Sequence, residues 1–310
     1  MMKRGLYPRA LAAALALCVI CLSAGCAAKA PAPSSAAAQA ENAPQLRLVI
    51  ERRSVVTEAC MPSESPEGDG TPYASVDYPR IELDEASAAH YPRLRESLDA
   101  WNEELETSAL PTLADLADMA KAGLEDSWLN APLYEFDRLF VGRADSRIVS
   151  FEVIGDGYYG LCNYARNYDP ETGRLLHLSD VINGPDQIDL LAQAIFDHLE
   201  YMEEDYAFTE GESALILATI QSEIRDDWLT WHLSEEGFEV SFDTYELMYD
   251  AFGPIWATLS YEEYPELIAE PYRPDGKAAP LEERITWIEA DPVSYSDEEL
   301  SRYLADEGVG

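Results

Sequence analysis

The chain has 310 residues, 59 of them Asp or Glu against 21 Lys or Arg, for a formal charge of −38. Charge of that sign and size excludes attraction to nucleic acid or to an anionic membrane surface through a basic patch. With 47% hydrophobic and 10% aromatic residues the chain is no disordered acidic tail, and the roughly 225 residues from Gln45 to Glu270 are enough to bury a sizeable core.

The first segment, residues 1–25, carries Lys3, Arg4 and Arg9 ahead of an apolar run from Ala10 to Leu22 that is too short to span a bilayer. Leu22-Ser23-Ala24-Gly25-Cys26 closes it with small residues before a cysteine. The segment resembles a bacterial lipoprotein signal, with Cys26 as the expected lipidation site and first residue of the mature chain. An ordinary secretory signal with an incidental cysteine is the alternative. Acyl chains on Cys26 would hold the protein on the extracytoplasmic side of the cell membrane, or at the outer membrane where the envelope has two. Loss of three basic residues with the signal leaves a mature charge near −41.

Residues 26–44 are Ala, Pro and Ser with almost no large apolar groups, the composition of a flexible tether. Cys18 and Cys21 leave with the signal, so Cys60 and Cys162 remain. In an oxidising compartment they are a candidate disulfide. It would close a loop of about 100 residues, worth roughly 4–5 kcal/mol in the chain-entropy model. Two separate thiols remain the alternative.

Residues 46–56 and 73–83 read as strands, and residues 84–124 carry helical spacing with breaks expected at Pro92 and Pro111. Val149, Phe151 and Val153 alternate with Ser150 and Glu152, the pattern of a strand with one buried face. The run from Tyr158 to Tyr168 leads into Asp169-Pro170-Glu171-Thr172-Gly173, which has turn chemistry and lacks the Asp/Asn repeats of a calcium loop. Apolar stripes at Ile188, Leu191, Ile195, Leu199 and at Leu217, Ile220, Ile224 predict two helices, separated by a densely acidic Tyr201–Asp205 surface. A hairpin follows, Leu229–Leu233 with Phe238–Phe242 about Glu236-Gly237. Residues 255–259 then read as a strand and Ser260–Ile268 as a helix. Strands and helices come in blocks, so the expected class is α+β, a mainly antiparallel sheet packed with helices. Residues 45–270 form the expected domain, in two subregions split near residue 175. Residues 271–310 form an acidic C-terminal extension with an apolar stretch at Ile285–Ile288 and a helix start at Ser296.

Three stretches carry a family resemblance. Tyr78-Pro79-Arg80-Ile81 resembles an early Y-P-x-I strand. Asn163–Asp180 (NYARNYDPETGRLLHLSD) resembles an N-Y/F-D-x-x-T-G-x-x-L-x-L-x-D segment. Glu235–Leu247 resembles a G-φ-x-φ-x-F-x-x-Y-E segment, with Ser260–Tyr264 standing at a closing helix start. In order and spacing they are similar to the extracellular domain of RsiV-type anti-sigma factors, found also at the N-terminus of PdaC-type peptidoglycan deacetylases, over roughly residues 46–268. The resemblance implies an α+β domain and, from RsiV, recognition of lysozyme. The sequence carries neither the sigma-binding region and membrane span of RsiV proteins nor deacetylase Asp and His motifs, and Gly155–Gly160 lacks the histidine common in the family's Gly-Gly-x-His-Gly run.

The four histidines, His90, His177, His198 and His232, have no metal-ligand spacing, and no nucleophile elbow, Ser-x-x-Lys motif or phosphate loop is present. No catalytic residue, metal site or cofactor is expected. Tyr158, Tyr159, Tyr164 and Tyr168 are the candidate binding residues, since tyrosine pairs apolar area with a polar tip; core packing is the competing use. The residues support a membrane-anchored, non-enzymatic binding or sensing domain for a cationic, lysozyme-like protein. An envelope scaffolding lipoprotein and an accessory to a cell-wall hydrolase or deacetylase are the other readings.

Overall fold

A computed structural model describes residues 45–62, 70–126, 128–158, 160, 162–200, 209–243, 246–247 and 255–306. Cys26, the tether, Tyr159, Tyr201–Asp205, Tyr245 and Tyr249 lie outside them. The fold is α+β, with mainly antiparallel sheets packed against helices.

The larger sheet starts with β1 (Leu48–Thr57) and β2 (Ala74–Leu83), antiparallel from Leu48 opposite Leu83 to Val56 opposite Ser75. Helix α1 (Glu85–His90) is capped by Asp84, whose carboxylate accepts from the Ser87 amide. Helix α2 (Pro92–Glu125) runs 34 residues and buries Leu94, Leu98, Trp101, Leu105, Leu113 and Leu116 along one stripe. Pro92 occupies its first turn, where no amide is needed. Pro111 does not break it, contrary to the local rule. Ala109, Leu113 and Ala114 around it are buried, and the Thr112 hydroxyl donates to the Ser108 carbonyl at 2.9 Å; core packing outweighs the lost backbone bond.

Strand β3 (Leu133–Ala144) pairs with β2 in parallel, only from Ala74–Asp77 to Leu133–Phe136. Past that point Asn102 of α2 takes the strand's place. Its amide donates to the Ile81 carbonyl at 2.7 Å and accepts from the Ile81 amide at 2.8 Å. The inward face of β2 switches there, from Ala74, Val76 and Tyr78 to Pro79, Ile81 and Leu83. Strands β4 (Val149–Gly157) and β5 (Cys162–Tyr168) complete an antiparallel meander.

The second half has its own core, built from Leu176 onward together with Ile148 from the turn before β4. Short α3 (Leu178–Val181), α4 (Pro185–Asp197), β6 (Leu199–Glu200) and α5 (Glu210–Asp226) lead to β7 (Thr230–Leu233), β8 (Gly237–Phe242) and β9 (Ile255–Ser260). Their sheet is antiparallel in the order β6-β9-β8-β7. Ser260–Ile268 forms turns rather than the expected helix. Pro265 disfavours helical geometry at Tyr264, and Ile268 instead bridges Ile182.

Polar groups join the sheets. Ser150 accepts from the Leu233 amide at 2.7 Å, Asn167 donates to the Trp231 carbonyl at 2.8 Å, and the Ser150 hydroxyl bonds Asn167. Ser150 and Glu152 are therefore as buried as Phe151 and Val153, so β4 has no solvent face, despite its alternation.

Two strands of the C-terminal region enter the larger sheet. β10 (Ile285–Glu289) and β11 (Val293–Tyr295) pair in parallel with β1, which closes its free edge. Helix α6 (Asp297–Asp306) starts at Ser296, whose hydroxyl accepts from the Glu299 amide while the Glu299 carboxylate accepts from Ser296. Leu300 is buried in the first core, and Tyr73 hydrogen-bonds Asp297.

Cys60 and Cys162 are free and exposed, which corrects the disulfide expectation. Cys60 lies beside β1 and Cys162 on β5, with β2, β3 and β4 between them. Four strand spacings are on the order of 19 Å, against a limit of about 7 Å between Cα atoms. Reductant should accordingly leave the unfolding midpoint unchanged, and a thiol reagent should label both cysteines in the folded protein. Cys162 should be the slower, because burial and then Asp137 push its thiol up; a midpoint that falls on reduction would contradict this register.

Candidate functional site

The feature best suited to a partner is one face of the larger sheet. The alternation of β3 puts Tyr134, Phe136, Arg138 and Phe140 on the same side. Register aligns Val56, Ser75 and Tyr134 in one row and Ser54, Asp77 and Phe136 in the next. At the sheet edge Trp287 stands opposite Ile50, and Glu289 opposite Arg52. Tyr134 is 46% exposed, Phe140 41% and Trp287 57%. The Tyr134 and Phe136 rings stack at 5.9 Å, and the Arg138 guanidinium lies 5.3 Å from the Phe136 ring centre. Two clefts meet at Phe136. One, of about 640 Å³, is flanked by Pro72, Pro132 and Pro292; the other, of about 360 Å³, opens where β2 and β3 part, between Pro79, Asp137 and Trp287.

Asp77 and Asp156 flank Phe136 on this face, whereas alternation turns Asp137 to the other side of β3, toward Cys162, and Asp243 lies beyond β5 at Asn163. Arg52 neutralises Asp77 at 2.5 Å. Asp137 forms no ion pair among the described residues; burial, with Glu135 beside it, pushes its pKa up to about 6. Glu246, which accepts from the Asp243 amide at 2.7 Å, is pushed up to about 7, chiefly by burial. Asp243 is raised by burial as well. These carboxylates are costly to ionise where they stand, and a cation brought to them would relieve that cost.

A pH prediction follows from Asp137. An acid with a raised folded pKa adds stability that is complete below its ordinary value of 3.8 and disappears as pH rises through about 6. Asp137→Asn should therefore be neutral near pH 3.5 and stabilising by ~1–2 kcal/mol at pH 8, after allowance for partial solvent screening. Urea unfolding at both pH values checks it, and equal effects at the two would be the contrary result.

The structure separates the tyrosines singled out in the sequence. Tyr158 is 47% exposed just beyond β4. Tyr164 and Tyr168 sit on the side of β5 that faces α2; Tyr164 is half-buried, and Tyr168 is 3% exposed with its ring 6.3 Å from Trp101. They do not form one surface, because strand alternation sends the two inward. Sequence reasoning passed over residues 133–144, although Tyr134, Phe136 and Phe140 at period two are the signal that marks the exposed strip.

The histidines have individual partners. His198 meets Glu263 at 3.1 Å, and His90 packs edge-on to Tyr91 at 4.6 Å. His232 is buried between Glu239 at 3.3 Å and Glu152 at 3.9 Å, and His177 bonds Asp227 at 2.5 Å. Among the described residues no three His, Cys, Asp or Glu side chains converge as metal ligands, and no helix is long and apolar enough to cross a membrane.

No family model matches the chain, and none of the curated proteins matches it. Solved structures with a related chain path are DUF3298 family proteins. A member from Bacteroides fragilis NCTC 9343 is 14% identical, with a TM-score of 0.46, over 72% of this chain and 94% of that one. One from Pseudomonas aeruginosa PAO1 is 13% identical, with a TM-score of 0.43, over 75% of this chain and 98% of that one.

Proposed function

We propose that this protein is a binding domain without catalytic activity, anchored by lipid at Cys26 on the extracytoplasmic side of a membrane, and that it recognises a cationic protein of the lysozyme type. The observation that carries the reading is the aromatic strip of Tyr134, Phe136, Phe140 and Trp287, with Asp77 and Asp156 flanking Phe136 on the same face. Exposed aromatic rings supply the apolar anchors of a protein interface. A charge of −38 accelerates the approach of a cationic partner, and Asp156 opposite Phe136 offers a contact for a partner's Lys or Arg. The resemblance to RsiV supports the same class of partner, and the lipoprotein-like signal supports an encounter outside the cytoplasm.

Titration with lysozyme and with an unrelated protein of similar positive charge, at low and near-physiological salt, tests the reading. Charge attraction alone is screened within about 8 Å at physiological salt. Lysozyme binding should survive there while the control's disappears. Equal loss of both would leave only nonspecific attraction and refute the assignment.

A further inference from the structure

A second concave site lies at the junction of β5 and β7, on residues separate from the aromatic strip. It is a pocket of about 300 Å³ lined by Tyr164, Leu175, His177, Asp227 and Trp228, among others. Trp228 is 70% exposed and Leu175 42%, while Leu176, Leu229 and Trp231 beneath them are buried. An indole so exposed would be expected to fold back onto neighbouring apolar surface; here the backbone holds it out. Asp227 ends α5 in the left-handed region at φ 58°, a conformation that Asp tolerates. The Trp228 amide donates to the Glu223 carbonyl at 2.9 Å, which fixes the turn.

The polar side of the pocket is equally ordered. His177 bonds Asp227 through Nδ1 at 2.5 Å, and its own amide donates to Asp180 at 2.9 Å. Arg174 in turn holds Asp180 at 2.6 Å. When Nδ1 carries the proton shared with Asp227, Nε2 of the neutral ring is an acceptor aimed outward. Among the described residues neither His177 Nε2 nor Trp228 Nε1 has a hydrogen-bond partner. A flat apolar ring therefore stands beside an indole donor, an imidazole acceptor and a carboxylate.

We infer that this pocket is a binding site for a neutral saccharide. A pyranose ring has C–H groups on one face and hydroxyls at its edge. The C–H face packs on the electron-rich face of an indole, while the hydroxyls need donors and acceptors fixed in space. Charge selects the neutral class, because Asp227, Asp180 and the strongly acidic chain repel phosphorylated, sulfated or carboxylated glycans. The site is independent of the proposed protein-binding face, so either can fail without the other.

Calorimetric titration of the full chain in detergent with chitotetraose, cellotetraose and dextran sulfate is the test. Saturable binding of at least one neutral tetrasaccharide is expected, with none for dextran sulfate. Trp228→Ala should weaken binding about tenfold or more, and Trp228→Phe, which keeps an aromatic face, should retain most of it. His177→Ala should weaken it severalfold; the thermal midpoint of each variant verifies the fold. No saturation with either neutral sugar at millimolar concentration overturns the inference. So does affinity unchanged in Trp228→Ala, or equal binding of dextran sulfate.

Discussion

Replacing Arg143 with Met should cost about 3–5 kcal/mol of unfolding free energy, one of the two largest effects expected in this chain. Arg143 is 1% exposed. Its guanidinium meets Asp145 at 2.6 Å, the Tyr272 carbonyl at 2.7 Å and the Tyr261 hydroxyl at 3.1 Å. One side chain thus joins the end of β3 to the chain that follows β9. Met fills similar volume but leaves the largely buried Asp145 carboxylate without a counter-charge and the Tyr272 carbonyl without a donor. Lys would restore the charge but not the fork that reaches three partners at once, so Arg143→Lys should recover only part of the loss. Urea unfolding of both variants measures this. A loss under 1 kcal/mol for Arg143→Met would show that the contacts contribute little.

Removing residues 271–310 should have an effect of the same order or larger. Composition marks this region as an acidic extension, yet β10 and β11 occupy the edge of β1, and Leu300 is 2% exposed in the core. Arg284, with a side chain 2% exposed, meets Glu235 at 2.6 Å and also bonds the Ala144 carbonyl. Truncation would uncover a ten-residue strand edge, a template for association, and would discard that buried bridge. The expected loss, on the order of 5 kcal/mol, approaches the whole stability of an ordinary domain. The truncated chain should be recovered mostly aggregated or without a cooperative thermal transition. Recovery of a monomer with the parent midpoint would make the region an appendage.

Local signals made much of this fold legible. The β7–β8 hairpin follows from alternation on both arms and a Ser-Glu-Glu-Gly turn in which the Ser234 hydroxyl accepts from the Glu236 and Gly237 amides at 3.1 Å. The Ser296 helix start is written in its own four residues. What sequence could not supply depends on partners far along the chain. Ile285–Ile288 becomes a strand because β1, more than two hundred residues earlier, offers a free edge. Pro111 stays helical because the core holds its neighbours. Cys60 and Cys162 stand apart because three strands intervene. Charged residues are hardest to place: Arg143 and Arg284 are buried, and only assembly reveals the carbonyls and carboxylates that receive them. The candidate site was legible in chemistry, aromatic anchors on an acidic domain, but not in position. A cluster of tyrosines in sequence is divided by strand alternation, and the exposed strip is completed by Trp287 from a strand at the far end of the chain.

The most direct test of the account is the affinity of the Phe136→Ala/Trp287→Ala variant for lysozyme at near-physiological salt, beside the parent and Tyr168→Phe, a conservative change in the core. The two truncations remove aromatic rings from the sheet face, Trp287 exposed and Phe136 half-buried, so the fold should survive. The double variant should lose binding by a hundredfold or so, with its thermal midpoint near the parent's and Tyr168→Phe binding as the parent does. Undiminished binding by a folded double variant would contradict it and move the interface off this face.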